Sequence, residues 1–154
     1  MSDRLASGKI PASALVLGLA GLIPFVAGAA SQWAKLPMLA PDTGLRLAIL
    51  YGAIILSFLG GIRWGTAIGP YDTGRQSTEF SASVLGSLAG LAAAFLPSIP
   101  ALALLIAGFL MQGLWDVMSV DAGRLPQWFG RLRMILTAGA VISLVATLLA
   151  VLAT

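Results

Sequence analysis

The sequence predicts an all-α polytopic membrane protein with five transmembrane helices, forming one integral membrane domain over residues 1–154. Three observations carry this. The chain is 58% hydrophobic and only 10% charged, where a soluble domain carries about 25% charged residues. Its mean hydropathy is +0.96. Five apolar stretches near the length of a bilayer crossing are separated by short polar or proline-bearing segments. Glycine, at 18 of 154 residues, adds a weaker sign, being more frequent in membrane helices than in soluble ones.

The five helices are expected at about 12–33, 45–67, 80–96, 101–118 and 132–153. The first follows a polar start with Arg4 and Lys9. It contains Pro24, which removes one helix hydrogen bond and clashes with the carbonyl of Ala20, so a kink is expected there. Trp33 and Lys35 mark its far interface. A basic start, an apolar core and the small residues Ala27-Gly28-Ala29 also fit a signal peptide. The apolar run exceeds an h-region of about 7–15 residues, so the segment is read as a retained helix. Residues 34–44 read as a loop with Pro37 and Pro41, and Asp42 and Thr43 are N-cap candidates for helix two.

Helix two carries the most unusual stretch, Ser57-Phe58-Leu59-Gly60-Gly61-Ile62-Arg63-Trp64-Gly65. Gly69-Pro70-Tyr71-Asp72 then reads as a turn, within a polar loop that reaches Glu79. Between residues 80 and 117 the only charge is Asp116. That run is too long for one span, and Pro97-Ser98-Ile99-Pro100 divides it into a helical hairpin, a re-entrant pair being the alternative. Residues 119–131 read as a second polar connection.

With five spans, the connections near residues 4–9, 70–79 and 119–131 share one side. Arg4, Lys9, Arg63, Arg75, Arg124, Arg131 and Arg133 lie toward it, while Lys35 and Arg46 lie toward the other. The positive-inside rule therefore places the N-terminus in the cytoplasm and the C-terminus across the membrane.

Ser57, Gly61 and Gly65 fall at i, i+4 and i+8 on one helix face, a small-residue seam that lets another backbone approach. Gly86 and Gly90, with Ala82 and Ala94, form a second seam on helix three. Packing within the bundle and docking to another chain both remain open. Gly60, in the Gly60-Gly61 pair, is a kink candidate together with Pro24.

Arg63 and Asp116 lie at similar depth, each roughly 10 Å from the midplane at 1.5 Å per residue. Their Cα–Cβ bonds tilt back toward the membrane centre, which hinders snorkelling. Either the two pair in a buried polar cluster extended by Gln112, Arg133 and Thr137, or each reaches the interface alone beside Trp64 and Trp115.

Histidine and cysteine are both absent from the chain. Disulfides, thiolate chemistry, imidazole bases and zinc sites go with them. The loops hold no phosphate-binding loop, catalytic triad or carboxylate pair. No enzyme activity, cofactor or metal is therefore expected, and the basic residues are better explained by orientation than by nucleic acid. Expected partners are membrane lipid and a membrane-protein partner or second copy. The reading is a non-enzymatic accessory, scaffold or assembly partner of a membrane complex, respiratory complexes included. The alternative is a small transporter or channel, oligomeric or not.

The sequence resembles an uncharacterised family of small multi-span membrane proteins that includes the animal mitochondrial transmembrane protein sixty-nine. The residues carrying the resemblance are Leu22-Ile23-Pro24-Phe25, Tyr51, the run from Leu56 to Gly65, Asp116, Pro126-Gln127-Trp128-Phe129, Leu132-Arg133 and Leu136-Thr137. Family members often carry His where this chain has Arg63, and Tyr where it has Phe129, so a role that needs an imidazole has no residue here. The resemblance implies an energy-transducing membrane and no known reaction. The N-terminus does not read as an Arg/Ser-rich, acid-poor transit sequence, so a bacterial inner membrane is expected.

Overall fold

The computed structural model describes residues 8–34, 36–69 and 76–153. The expected turn at Pro70-Tyr71-Asp72, the basic residues Arg4, Lys35 and Arg75, and Thr154 lie outside these. Among the described residues the chain is helical, with five helices long and apolar enough to cross a membrane.

The first crossing, Ala12–Trp33, is built from two helices, α1 (Ala12–Ala20) and α2 (Ile23–Trp33). Pro24 explains the break. It sits in the first turn of α2, where its missing N–H has no helical acceptor to lose. The hydroxyl of Tyr51 donates to the carbonyl of Gly21 within the break at 3.0 Å.

α3 (Pro41–Ile68) is longer than the expected 45–67. Pro41 starts this helix and does not interrupt it. Ala40, with extended backbone, occupies the cap, so Asp42 and Thr43 are not N-caps and lie within the first turn. α3 runs unbroken through Gly60.

α4 (Gln76–Phe95) and α5 (Ser98–Asp121) form the hairpin. Pro97 caps α5, and Pro100 falls in its first turn, where a proline is tolerated. α5 runs to Asp121, beyond the expected 118, and ends in a Schellman arrangement. Gly123 has φ of 70°, its N–H donates to Val120 O at 2.9 Å, and Arg124 N–H donates to Ser119 O at 2.9 Å. α6 (Gln127–Leu152) starts at once behind Pro126. The expected connection at 119–131 is thus reduced to residues 122–126, and Trp128 and Phe129 are helical.

The five crossings close into a ring, each packed on the next and α2 against α6. Trp33 Nε1 donates to Ala146 O at 3.0 Å across that closure. Phe25, Leu56, Leu102, Leu105, Phe109 and Leu144 fill the core, with Ala48, Ala53, Ala93, Ala101 and Ala140 between them.

The tightest contact, α3 on α4, is not made through the Gly61 and Gly65 positions of the seam on helix two. A Cβ on Gly61 or Gly65 would meet nothing within 4 Å, and both residues are exposed. The face that meets α4 is Ala53, Leu56 and Gly60, one residue or about 100° of rotation away. There Gly60 abuts the carbonyl of Ser83. A Cβ on Gly86 would lie 2.7 Å from Leu56 O, and one on Gly90 would lie 2.6 Å from Ala53 O. Gly86 and Gly90 are therefore contact positions, and Ser57 flanks them with its Oγ 2.8 Å from Ser87 Oγ.

Candidate functional site: a buried arginine–carboxylate cluster

One end of the bundle holds a charged cluster contributed by four crossings. Arg63 comes from α3, Glu79 from α4, Gln112, Asp116 and Ser119 from α5, and Arg133 from α6. Arg63 is 2% exposed, Glu79 2%, Asp116 1% and Arg133 5%. Burying an unpaired charge costs several kcal/mol, so the pairing decides whether the cluster can exist.

Arg63 is the hub. Its Nη2 donates to Asp116 Oδ1 at 2.6 Å. Its Nη1 donates to Ser119 Oγ at 3.1 Å and more weakly to Glu79 Oε2 at 3.4 Å. Nε reaches Gln112 Oε1 at 3.5 Å. The guanidinium carbon lies 4.9 Å from the centroid of Trp115, within cation–π range. On the other side of Asp116, Arg133 Nε approaches Oδ2 at 2.8 Å. That contact is an ion pair whose N–H is out of line, because neither atom has an aligned hydrogen bond. Arg124 reaches in from the Schellman turn, with Nη1 3.3 Å from Glu79 Oε1. Its side chain is 21% exposed, so that pair is partly screened by solvent.

Four of the five residues expected in a polar cluster, Arg63, Gln112, Asp116 and Arg133, are thus brought together. Thr137 is buried beside Gly113, where its Oγ1 makes no hydrogen bond. Glu79, Ser119 and Arg124 belong to the cluster as well, although the sequence reading leaves all three in polar connections. A signal for Glu79 exists: Glu79, Ser83, Gly86 and Gly90 follow the i, i+4, i+7, i+11 spacing of one helix face. Likewise Ser119 falls three residues after Asp116. Arg124 has no such periodicity, since a turn delivers it.

Beside the cluster lies a cavity of about 520 Å³, between the α1–α2 break, α3 and α6. Phe25 stands at its inner wall, edge-on to Tyr51 and Phe109 with ring centroids 5.1 and 5.6 Å away. Among the described residues Arg133 is its only charged wall residue.

Comparison with known proteins places this architecture. Residues 10–149 match the family model described as protein of unknown function (DUF3429). The chain belongs to the DUF3429 family. Transmembrane protein 69 of Xenopus tropicalis is 39% identical to it over 158 residues, covering 96% of this chain and 58% of that relative. Transmembrane protein 69 of Mus musculus is 33% identical over 148 residues, covering 90% and 56%. The chain thus spans little more than half the length of these relatives. No solved structure matches it. All the cluster residues, and the break at Gly21-Leu22, lie inside the DUF3429 match.

Proposed function

We propose that this DUF3429 chain is a non-enzymatic accessory, scaffold or assembly partner of a larger membrane complex, of which a respiratory complex is one kind. The observation that carries the reading is the outer face of α3. Gly61 and Gly65 are exposed with open space above them. Between helices in lipid, close backbone approach is a main source of attraction. The bundle's own packing uses Gly60 on the adjacent face, which leaves Gly61 and Gly65 available to a partner helix or a second copy.

The test places a photo-crosslinking residue at position 61 or 65 in native membranes and identifies what is captured. With the crosslinker at position 61, Gly65→Leu, and with it at position 65, Gly61→Leu, is expected to keep the thermal stability of the purified protein and to abolish that crosslink. Capture of lipid alone at both positions would count against the reading.

Residence in a bacterial inner membrane with a cytoplasmic N-terminus is part of the same proposal. It rests on the bias of basic residues toward the side shared by Lys9, Arg124 and Arg131.

A small transporter is the second reading, favoured by the cavity beside Arg133. Its walls are almost wholly apolar, and neither Ser57 nor Gly60 lines it. Solute flux in liposomes separates the two readings.

A further inference from the structure

We infer that the cavity between the α1–α2 break, α3 and α6 binds a single-chain anionic amphiphile, with its headgroup at Arg133. Two independent features point to this. The first is shape and lining. A volume of about 520 Å³ falls within the range of ligand pockets, about 300–1,000 Å³. The wall runs along α6 from Trp128 to Ala140, a length of about 18 Å at 1.5 Å per residue. Gly18, Gly21 and Leu22 at the α1–α2 break form part of the opposite wall.

The second feature is charge. Among the described residues the cluster sets three arginines, Arg63, Arg124 and Arg133, against two carboxylates, Glu79 and Asp116. It therefore carries one positive charge in excess. Of these three arginines only Arg133 lines the cavity. Its Nε faces Asp116, while its buried Nη2 has no hydrogen-bond partner. A buried guanidinium N–H without an acceptor is costly, and an anionic oxygen in the cavity beside Arg133 would supply both the acceptor and the missing charge.

The headgroup must carry the selectivity. Lipid tails are as apolar as the cavity wall, so moving a chain from bilayer to cavity gains little by itself. The proposal therefore specifies an acyl chain ending in a carboxylate or phosphate. A free fatty acid and a lysophospholipid are the two sources of that chemistry.

The experiment uses the full chain in nanodiscs of neutral lipid, with oleate, lysophosphatidate and the neutral oleyl alcohol as probes. Binding is read by native mass spectrometry and by displacement of a fluorescent fatty acid. Oleate or lysophosphatidate is expected to bind at least tenfold more tightly than oleyl alcohol, and the stronger of the two identifies the source. Arg133→Gln is expected to erase that preference, and Arg133→Lys to keep most of it. Ala14→Trp, which narrows the cavity without touching the cluster, is expected to weaken the anionic probes at least tenfold with thermal stability unchanged. It keeps the test decisive if Arg133→Gln fails to fold. Equal binding of oleate and oleyl alcohol to the wild-type protein would overturn the proposal. So would full anionic binding in Ala14→Trp.

Discussion

Arg63 on α3 and Asp116 on α5 lie 53 residues apart in sequence and 2.6 Å apart in space. Both are almost completely buried, and each has a second oppositely charged contact, Glu79 for Arg63 and Arg133 for Asp116. The pair therefore belongs to a charge network that ties four crossings together at one end of the ring.

The first prediction concerns that pair. Arg63→Ala takes from Asp116 its nearest guanidinium, and Asp116→Ala takes from Arg63 and Arg133 their nearest carboxylate; breaking a buried pair from one side costs roughly 3–5 kcal/mol. The double variant removes both charges, so its loss of stability should fall short of the sum. Unfolding in mild detergent, run as a double-mutant cycle, measures the coupling. Additive losses would exclude a direct interaction.

The two carboxylates should not be equivalent. Asp116 faces guanidinium groups at 2.6 and 2.8 Å, whereas Glu79 faces them at 3.4 and 3.3 Å, one of those partly exposed. Asp116→Asn is therefore expected to destabilise more than Glu79→Gln. The Glu79 effect should shrink further in high salt, because screening reaches the Arg124 side. Midpoints of thermal unfolding at low and high ionic strength test the order; an equal or reversed order contradicts it.

Glycine positions on α3 should separate sharply. Gly60→Ala puts a methyl group onto the Ser83 carbonyl, a backbone atom that can yield only if the helices part. A loss of about 1–3 kcal/mol is expected, as for other overpacked contacts. Gly61→Ala and Gly65→Ala meet open space and should leave stability unchanged or slightly raised, by up to about 1 kcal/mol from helix propensity. Detergent unfolding of the three single variants checks this, and similar losses at Gly60 and Gly61 would refute the contact face described.

At Gly123 the left-handed backbone, φ 70°, favours glycine over any other residue. Gly123→Ala should cost about 1–2 kcal/mol. It should also displace Arg124, whose backbone N–H closes the same turn. A double-mutant cycle of Gly123→Ala with Glu79→Gln is then expected to show coupling, since the turn delivers the arginine that pairs with Glu79. Independent effects would show that Arg124 reaches Glu79 without the turn.

Tyr51 donates the hydrogen bond that satisfies the carbonyl of Gly21 inside the first crossing. Tyr51→Phe keeps the aromatic packing against Phe25 and removes only that bond. A loss of about 0.6 kcal/mol, the average for polar contacts between membrane helices, is expected in detergent unfolding. A loss several times larger would assign Tyr51 a further role at the cavity.

The sequence by itself determined the class and the crossings. Long apolar runs admit few structures in lipid, because every backbone group must be satisfied internally. Pro24 and Pro97 mark the break and the hairpin for the same local reason, a missing N–H. It also reached Arg63, Asp116, Gln112 and Arg133, since charged and polar groups at matched depth in lipid need one another. Other features were decided only by tertiary structure. Periodicity shows that α3 has small residues on neighbouring faces, but not which face meets α4. Gly60 and Gly61 differ by one residue in sequence and by contact or open space in the fold. Glu79 looked like a loop residue because a charge near a helix start is ordinary; its burial depends on α4 lying against α3 and α5. Arg124 entered through a glycine turn that no helical spacing encodes. The cavity beside Arg133 belongs to no single segment, because it is the space left where a broken first crossing, α3 and α6 fail to close.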